Sequence, residues 1–430
     1  MVYMKRVLVV GGGASGTMVA VNLIRNLTQP IEIWLAEPEI KLGRGIAYRT
    51  TDPNHLLNVP AGRMSIFEDD PKHLCNWLEV GEGEFIPRRD FGLYLANVLN
   101  HYLTKNSNVT FKHYQQLVTD IQKQDNKFYC SFDNDSAESF DLVVLALGHQ
   151  QTIIPKELES FKHDSRLIVD VWKQKIDTSQ NNVAIIGTGL TFYDVALSYL
   201  AANPEAKICG ISRNALLPSP HLRHREPPIP VPNLAKTSAQ AMRDYLVQSG
   251  EKWREAQDGI RHDLQEIWAN FPDTEKRYFF DKYFRWWNVL RHRSAPEIDE
   301  RIKEFIASGS IEIISGSISQ ITSSSESLTL TLDTGVELLV DQVINCCGNG
   351  FELSNPLLLT LTKTGLAKTG PLNMGISVDT KTLQVKNSAG QIVSGLFAIG
   401  PILVGELLET TAIPEIKTQA AQIARQLISA

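Results

Sequence analysis

Apolar runs, glycine clusters and alternating stretches follow one another in the same order twice along the chain. The first copy opens with an apolar strand over Lys5–Val10, then Gly11-Gly12-Gly13-Ala14-Ser15-Gly16, then a helical stretch through about Leu27. A second strand, Ile31–Ala36, ends on Glu37. A late strand over 109–113 follows, then an alternating strand, Lys127–Phe132, with an Asn134-Asp135 turn. The apolar run 141–148 closes the copy. The second copy has a strand over 183–186, then Gly187-Thr188-Gly189-Leu190-Thr191-Phe192 and a helical stretch through about Leu200. Its second strand, 207–211, ends on Ser212-Arg213, and a late strand spans 311–314. A hairpin follows, Leu328–Leu332 and 336–339 around Asp333-Thr334-Gly335, before the closing run 341–348. Two such units predict an α/β chain with two Rossmann-like, doubly wound dinucleotide-binding domains.

Each glycine turn follows an apolar strand and precedes a helix, the context a dinucleotide site needs. Glycines allow a tight turn and close backbone approach to a pyrophosphate, and the helix N-terminus offers free N–H groups. The residue ending each second strand separates the two sites. Glu37 lies about 20 residues past the first turn, where a carboxylate takes ribose hydroxyls and repels a 2′-phosphate. At the matching place the second copy has Ser212 and Arg213, a hydroxyl and a guanidinium suited to that phosphate. FAD is therefore expected on Gly11, Gly13, Ala14, Ser15, Gly16, Glu37 and Gly148. NADPH is expected on Gly187, Thr188, Gly189, Leu190, Thr191, Ser212, Arg213 and Gly348. Phe192 stands where the second fingerprint's last glycine would be, which predicts looser helix–strand packing there.

A strand over 395–400 ends in Gly400, and a helical pattern runs from about Ala412 through Leu427. This return segment is expected to complete the FAD domain, which then comprises 1–150 and 349–430, with 151–348 as the NADPH domain. Its helix N-terminus would lie near the pyrimidine end of the flavin and stabilise negative charge there. The acidic residue usual after this glycine is replaced by Pro401.

Between Arg213 and Ile311 there is more chain than a nucleotide domain requires. Residues 214–307 are predicted to be a helical and Pro-rich insertion serving as a substrate or lid region. The stretch 217–232 has too many prolines for a regular helix, and His221 and His224 lack a further ligand at metal-site spacing, so no metal is expected. From 238 to 307 the pattern is helical and aromatic. Trp253, Trp268, Phe271, Phe279, Trp286 and Trp287 read first as the core of a subdomain, and second as walls of a substrate pocket. Arg291, His292 and Arg293 end the segment. They read either as a solvated helix end or as a carboxylate site with His292 moving a proton near neutral pH.

Bulk composition narrows the function class. The net charge of -6 argues against sequence-independent nucleic-acid binding. No apolar run approaches the roughly 20 residues of a membrane helix, and the N-terminus lacks a signal-like core, so a cytoplasmic location is expected. Five cysteines without framework spacing fit a reducing compartment. No Cys-x-x-Cys occurs, and the adjacent Cys346 and Cys347 read as buried, inert thiols.

Longer stretches carry a family likeness. Gly45-Ile46-Ala47-Tyr48, the run 53–65 from Pro53-Asn54-His55 through Asn58 to Met64-Ser65, and 85–95 around Pro87-Arg88-Arg89-Asp90 are three of them. Arg291-His292-Arg293-Ser294-Ala295-Pro296 and Glu409-Thr410-Thr411-Ala412-Ile413-Pro414 complete the set. Together they resemble the bacterial FAD/NAD(P)-binding protein family, with wider kinship to flavin-containing monooxygenases, N-hydroxylases and Baeyer–Villiger enzymes. The resemblance implies a two-nucleotide flavoprotein with FAD and NADPH. It places Asn58 beside the flavin, with Met64 in the same FAD-binding loop. Asn58 is a catalytic candidate there, with His55 and His292 competing for the proton-transfer role. The monooxygenase linker signature is absent; Phe161, His163 and Trp172 only echo it. The leading expectation is an FAD-dependent NADPH oxidoreductase that monooxygenates a small nitrogen-bearing or carboxylated metabolite. A reductase or dehydrogenase without oxygen insertion, and a non-catalytic FAD-binding redox sensor, are the alternatives.

Overall fold

The computed structural model describes residues 4–223, 226–325 and 327–429. β1 (Lys5–Val10) runs through the first glycine turn into α1 (Ala14–Asn26) and returns as β2 (Ile31–Ala36), parallel to β1 with Lys5 beside Ile31. After α2 (His73–Leu78) and α3 (Arg88–Lys105), β3 (Val109–Tyr114) adds to β2 in parallel. An antiparallel meander of β4 (Val118–Gln124), β5 (Lys127–Phe132) and β6 (Ala137–Phe140) follows. The chain then re-enters the sheet on the other side of β1 as β7 (Leu142–Leu145). α1 packs against β1 and β2, and the meander packs on the same sheet through Phe132 and Phe140 against Trp34, so these strands are buried and read as unbroken apolar runs.

The second unit repeats the plan. β8 (Leu167–Ile168) and β9 (Asn182–Ile186) precede α4 (Leu190–Ala202) and β10 (Lys207–Ser212). Then come α5 (Ala239–Gln248), α6 (Trp253–Asn270), α7 (Asp273–Tyr278), a π-helical turn (Phe279–Tyr283) and α8 (Phe284–Arg291). α9 (Pro296–Ala307) leads to β11 (Ile311–Ser315), a meander of β12 (Ile318–Ser323), β13 (Leu328–Leu332) and β14 (Glu337–Val340), and β15 (Gln342–Asn345). The parallel sheet has the order β11-β10-β9-β15-β8. α10 (Pro356–Lys363), β16 (Gln384–Lys386), β17 (Ile392–Ala398) and α11 (Ile413–Ser429) end the chain. β17 pairs in parallel with β7, Leu396 beside Val143, and α11 lies against α1. The first sheet thus has the order β16-β17-β7-β1-β2-β3.

Three features depart from the sequence pattern. The expected hairpins are three-stranded meanders, because β4 and β12 alternate too weakly to stand out. α9 and its N-cap Ala295 are not confined to a separate helical body: Ala295, Ile298 and Ile302 pack with Val183, Ile185 and Ile344 of the second sheet. Phe192 does not loosen the second turn. Its fully buried ring lies over Gly210, where an added Cβ would come within 2.8 Å of it; a glycine on the strand supplies the space that the helix lacks.

The aromatics of the insertion build their own core. Trp268, Phe279 and Trp287 are buried together with Met242, Leu246 and Ile260, and the cluster also takes in Leu408. Trp268 Nε1 donates to Gly405 O at 3.1 Å, and Phe280 and Phe284 pack on Phe351. The insertion is thereby seated on the C-terminal return segment. The chain passes between the two sheets twice, at Thr152 and Asn349, and the two passages bridge each other as antiparallel neighbours.

Candidate functional site

The first glycine turn is built by close backbone approach. Gly11 has φ +101°, and a Cβ there would lie 2.4 Å from Ala146 O. Gly16 has no more room: an added Cβ would sit 1.9 Å from Gly11 O. Gly13 faces Gly45, so neither side chain nor hydrogen bond caps the start of α1, and its N–H groups are left for a ligand. Glu37 Oε2 accepts from Gly12 N at 2.9 Å, which ties the carboxylate at the end of β2 to the turn. The return segment meets the same place. Gly400, at φ +81°, lies so near Ser15 that an added Cβ would be 2.9 Å from Ser15 Oγ. Gln419 of α11 accepts the Gly400 N–H at 2.9 Å. Beside Gly400, fully buried Thr410 leaves its hydroxyl without a protein partner, which fits a hydrogen-bonding ligand such as FAD.

The second turn has the same construction. Gly187 has φ +95° and approaches Cys346 O, and α4 starts at Gly189 without a side-chain cap. Space is open around Gly189, Gly148 and Gly348, where an added Cβ would meet nothing within 4 Å. Thr188 is buried and structural: it accepts from Ser212 at 2.8 Å and donates to Leu216 O at 2.6 Å. Leu190 and Thr191 form the first turn of α4. Arg213 is exposed at the end of β10. Cys346 and Cys347 follow β15. Burial raises both thiols, Cys347 to about 11 with the Arg213 charge opposing, so neither is a thiolate at neutral pH.

A cleft lies where the return segment, the Asn58 loop and the insertion meet. Asn58, Val59, Arg63 and Ala412 wall it from the first domain; His221, Gln257, Asp258, Arg261 and Arg291–Arg293 wall it from the insertion. Asn58 is thus brought to His292, and Met64 lies buried beside the wall residue Arg63. His221 Nε2 donates to Asn58 O at 3.0 Å, a contact the proline-rich stretch gave no sign of. Burial, with Arg293 and Arg63 nearby, lowers His221 to about 4. His224 lies outside the described residues.

Two expectations change here. Arg291 is committed within the protein, to Glu409 through Nε, to Thr411 Oγ1 at 3.0 Å and to His292 Nε2. It is neither a solvated helix end nor an unpaired carboxylate receptor. His292 accepts from Arg291 and is held well below its ordinary pKa by burial first and then by Arg291 and Arg261. A neutral imidazole in that field does not exchange a proton near pH 7. His55 does not join the cleft: its ring is spent on Thr50, Ser198 and the Asp194 carbonyl at the boundary between the domains.

Among the described residues no group of three His, Cys, Asp or Glu side chains can hold a metal, and no helix is long and apolar enough to cross a membrane. Residues 8–150 match the model of the FAD-NAD(P)-binding family. Mouse renalase is 28% identical over 178 residues, a match covering 35% of this chain and 49% of that protein. The match therefore spans about half the length of that relative.

Solved structures align over nearly the whole chain. The reduced ornithine hydroxylase of Pseudomonas aeruginosa superposes with a TM-score of 0.65 at 15% identity, covering 99% of both chains. The FAD-bound cadaverine monooxygenase of Erwinia amylovora gives 0.67 at 9% identity, covering 100% of this chain and 95% of that one. A bacillithiol disulfide reductase from Bacillus cereus gives 0.57 at 14%, covering 99% of both. Residues 8–150 form an FAD/NAD(P)-binding domain, set in a chain with the two-dinucleotide flavoprotein fold.

Proposed function

We propose that the chain is an FAD-dependent NADPH oxidoreductase, with FAD on the first glycine turn and NADPH on the second. One observation carries this reading: a single cleft brings Asn58 and Ala412 of the first domain against His221 and His292 of the insertion. When bound, the two cofactors supply two-electron chemistry, with the nicotinamide as hydride source. The chain's own part is binding and orientation. The uncapped N-termini of α1 and α4 would hold the two pyrophosphates, Glu37 a ribose, and Ser212 with Arg213 a 2′-phosphate. α11 points its N-terminus toward the cleft from Ala412, where it favours negative charge. Neutral His221 and His292 act there as hydrogen-bonding groups and not as acids.

The activity we favour is monooxygenation of a small metabolite. Relatives in fold include an ornithine hydroxylase, a cadaverine monooxygenase and an L-lysine 6-monooxygenase, which makes these amines the first substrates to try. A reductase without oxygen insertion is favoured by one feature, the absent linker signature. The deciding experiment reduces the purified protein with NADPH without oxygen, admits oxygen with each substrate, and weighs the product. A product that gains one oxygen atom in step with NADPH consumption supports the monooxygenase. Reduction with transfer only to added acceptors supports the reductase. Failure of both NADPH and NADH to bleach the bound flavin would remove both.

A further inference from the structure

A buried polar cluster seats the first domain's loop 49–58 on α4 of the second domain. Ser198 faces this loop with its hydroxyl, and Asp194, one helical turn earlier on α4, offers the loop its main-chain carbonyl and Arg88 of α3 its carboxylate. Arg88 Nη2 lies 3.3 Å from Asp194 Oδ2, with both side chains largely buried. Ser198 donates its hydroxyl to Asp52 Oδ2. With that proton spent, Ser198 Oγ accepts from His55 Nε2 at 2.8 Å, and the Asp194 carbonyl accepts from the same nitrogen at 3.2 Å. His55 Nδ1 then accepts from Thr50 Oγ1 at 2.8 Å. Arg301 of α9 reaches Asn54 Oδ1 at 2.9 Å and completes the contact.

The three residue types are those of a hydrolase triad, but the protons run the other way, from His to Ser to Asp. The Ser198 proton goes to a carboxylate and not to the imidazole, so the arrangement is not that of a hydrolase triad. What the cluster does is mechanical. Asn58 follows His55 by three residues, and α4 begins at Leu190, four residues before Asp194. Any slip at this contact therefore moves the two glycine sites against each other. Among the described residues the chain crosses between the two sheets at Thr152 and Asn349, and these two bridged passages offer a pivot and no brace.

We propose that Asp52, His55, Arg88, Asp194 and Ser198 form an interdomain latch that fixes α4 against the Asn58 loop and so sets the spacing of the two nucleotide sites. The inference rests on the two-cofactor reading above, and its members are positioning residues. Leu56 and Phe85 pack into the core of the second domain beside the latch, so a variant that loses only polar contacts keeps its apolar seat.

Ser198→Ala tests it in the FAD-loaded protein. At saturating NADPH the anaerobic reduction rate is expected to fall about 10-fold to 100-fold, while the NADPH Kd stays within about threefold. Ser198→Thr, which keeps the hydroxyl, restores the rate. An unchanged rate, or a loss confined to Kd, overturns the latch. If Ser198→Ala does not fold, Asp194→Asn is read by the same criteria. If neither nicotinamide reduces the wild type, it is the two-cofactor reading that fails. The latch is then judged by amide exchange, which must quicken in loop 49–58 and the first turns of α4 in the variant; unchanged exchange there rejects it.

Discussion

Arg291 and Glu409 form an ion pair that is 8% and 3% exposed, joining the end of the helical insertion to the segment that leads into α11. Thr411 and His292 take further donors of the same guanidinium. One cation thus ties together the return segment and one wall of the cleft. Buried pairs of this kind are costly to break from one side, because the remaining charge stays desolvated. Glu409→Ala should destabilise the protein by about 3–5 kcal/mol. Denaturant unfolding of the flavin-loaded protein measures this, and a change below about 1 kcal/mol would mean the pair behaves as an exposed one.

Gly11 and Gly13 should fail in different ways. Any side chain at Gly11 strikes Ala146 O and must hold a left-handed φ, so Gly11→Ala lowers stability outright. At Gly13 an added Cβ would sit 3.4 Å from Gly45 Cα, ordinary contact, so the fold accepts it. A larger side chain there fills the space over the start of α1. Gly13→Leu should therefore give folded, colourless protein, as checked by circular dichroism and visible absorbance. Retained flavin in that variant would place FAD elsewhere.

The sheets were legible because parallel strands buried on both faces must be unbroken apolar runs, and their glycine turns announce themselves. β1 and β2 fall where the pattern sets them. The cleft was only half legible. Asn58 and His292 come together in it, but nothing in the sequence fixes how a ring will be spent once folded. His55 is consumed at the domain boundary, and His292 is held neutral by burial first and then by Arg291 one residue away. The His221 contact to Asn58 spans 163 residues within an irregular, proline-rich stretch, where no periodicity exists to read.

Arg213 is exposed at the end of β10, next to Ser212, whose hydroxyl is engaged with Thr188. A charge-assisted contact from such a guanidinium to a phosphate contributes about 1.5–3 kcal/mol. Arg213→Ala should accordingly raise the Kd for NADPH about 10-fold to 100-fold and leave NADH nearly unchanged. Stopped-flow titration with both nucleotides decides the matter. Equal losses for the two would show that Arg213 does not read the 2′-phosphate.

His221 should make the protein acid-sensitive. An unfolded imidazole titrates near 6.5, whereas burial first, with Arg293 and Arg63 adding repulsion, lowers folded His221 to about 4. Between those values the unfolded chain binds a proton that the native chain refuses. The stability held by neutral His221 is therefore complete above about pH 6.5, drains away as pH falls toward about 4, and changes no further below it. The full loss is on the order of 3 kcal/mol. Gln in its place keeps an N–H for the Asn58 carbonyl but has nothing to protonate. Unfolding free energies of wild type and His221→Gln, measured from neutral pH downward, should therefore converge, the wild type falling faster. Parallel curves would show that the imidazole is as free to ionise in the cleft as in water.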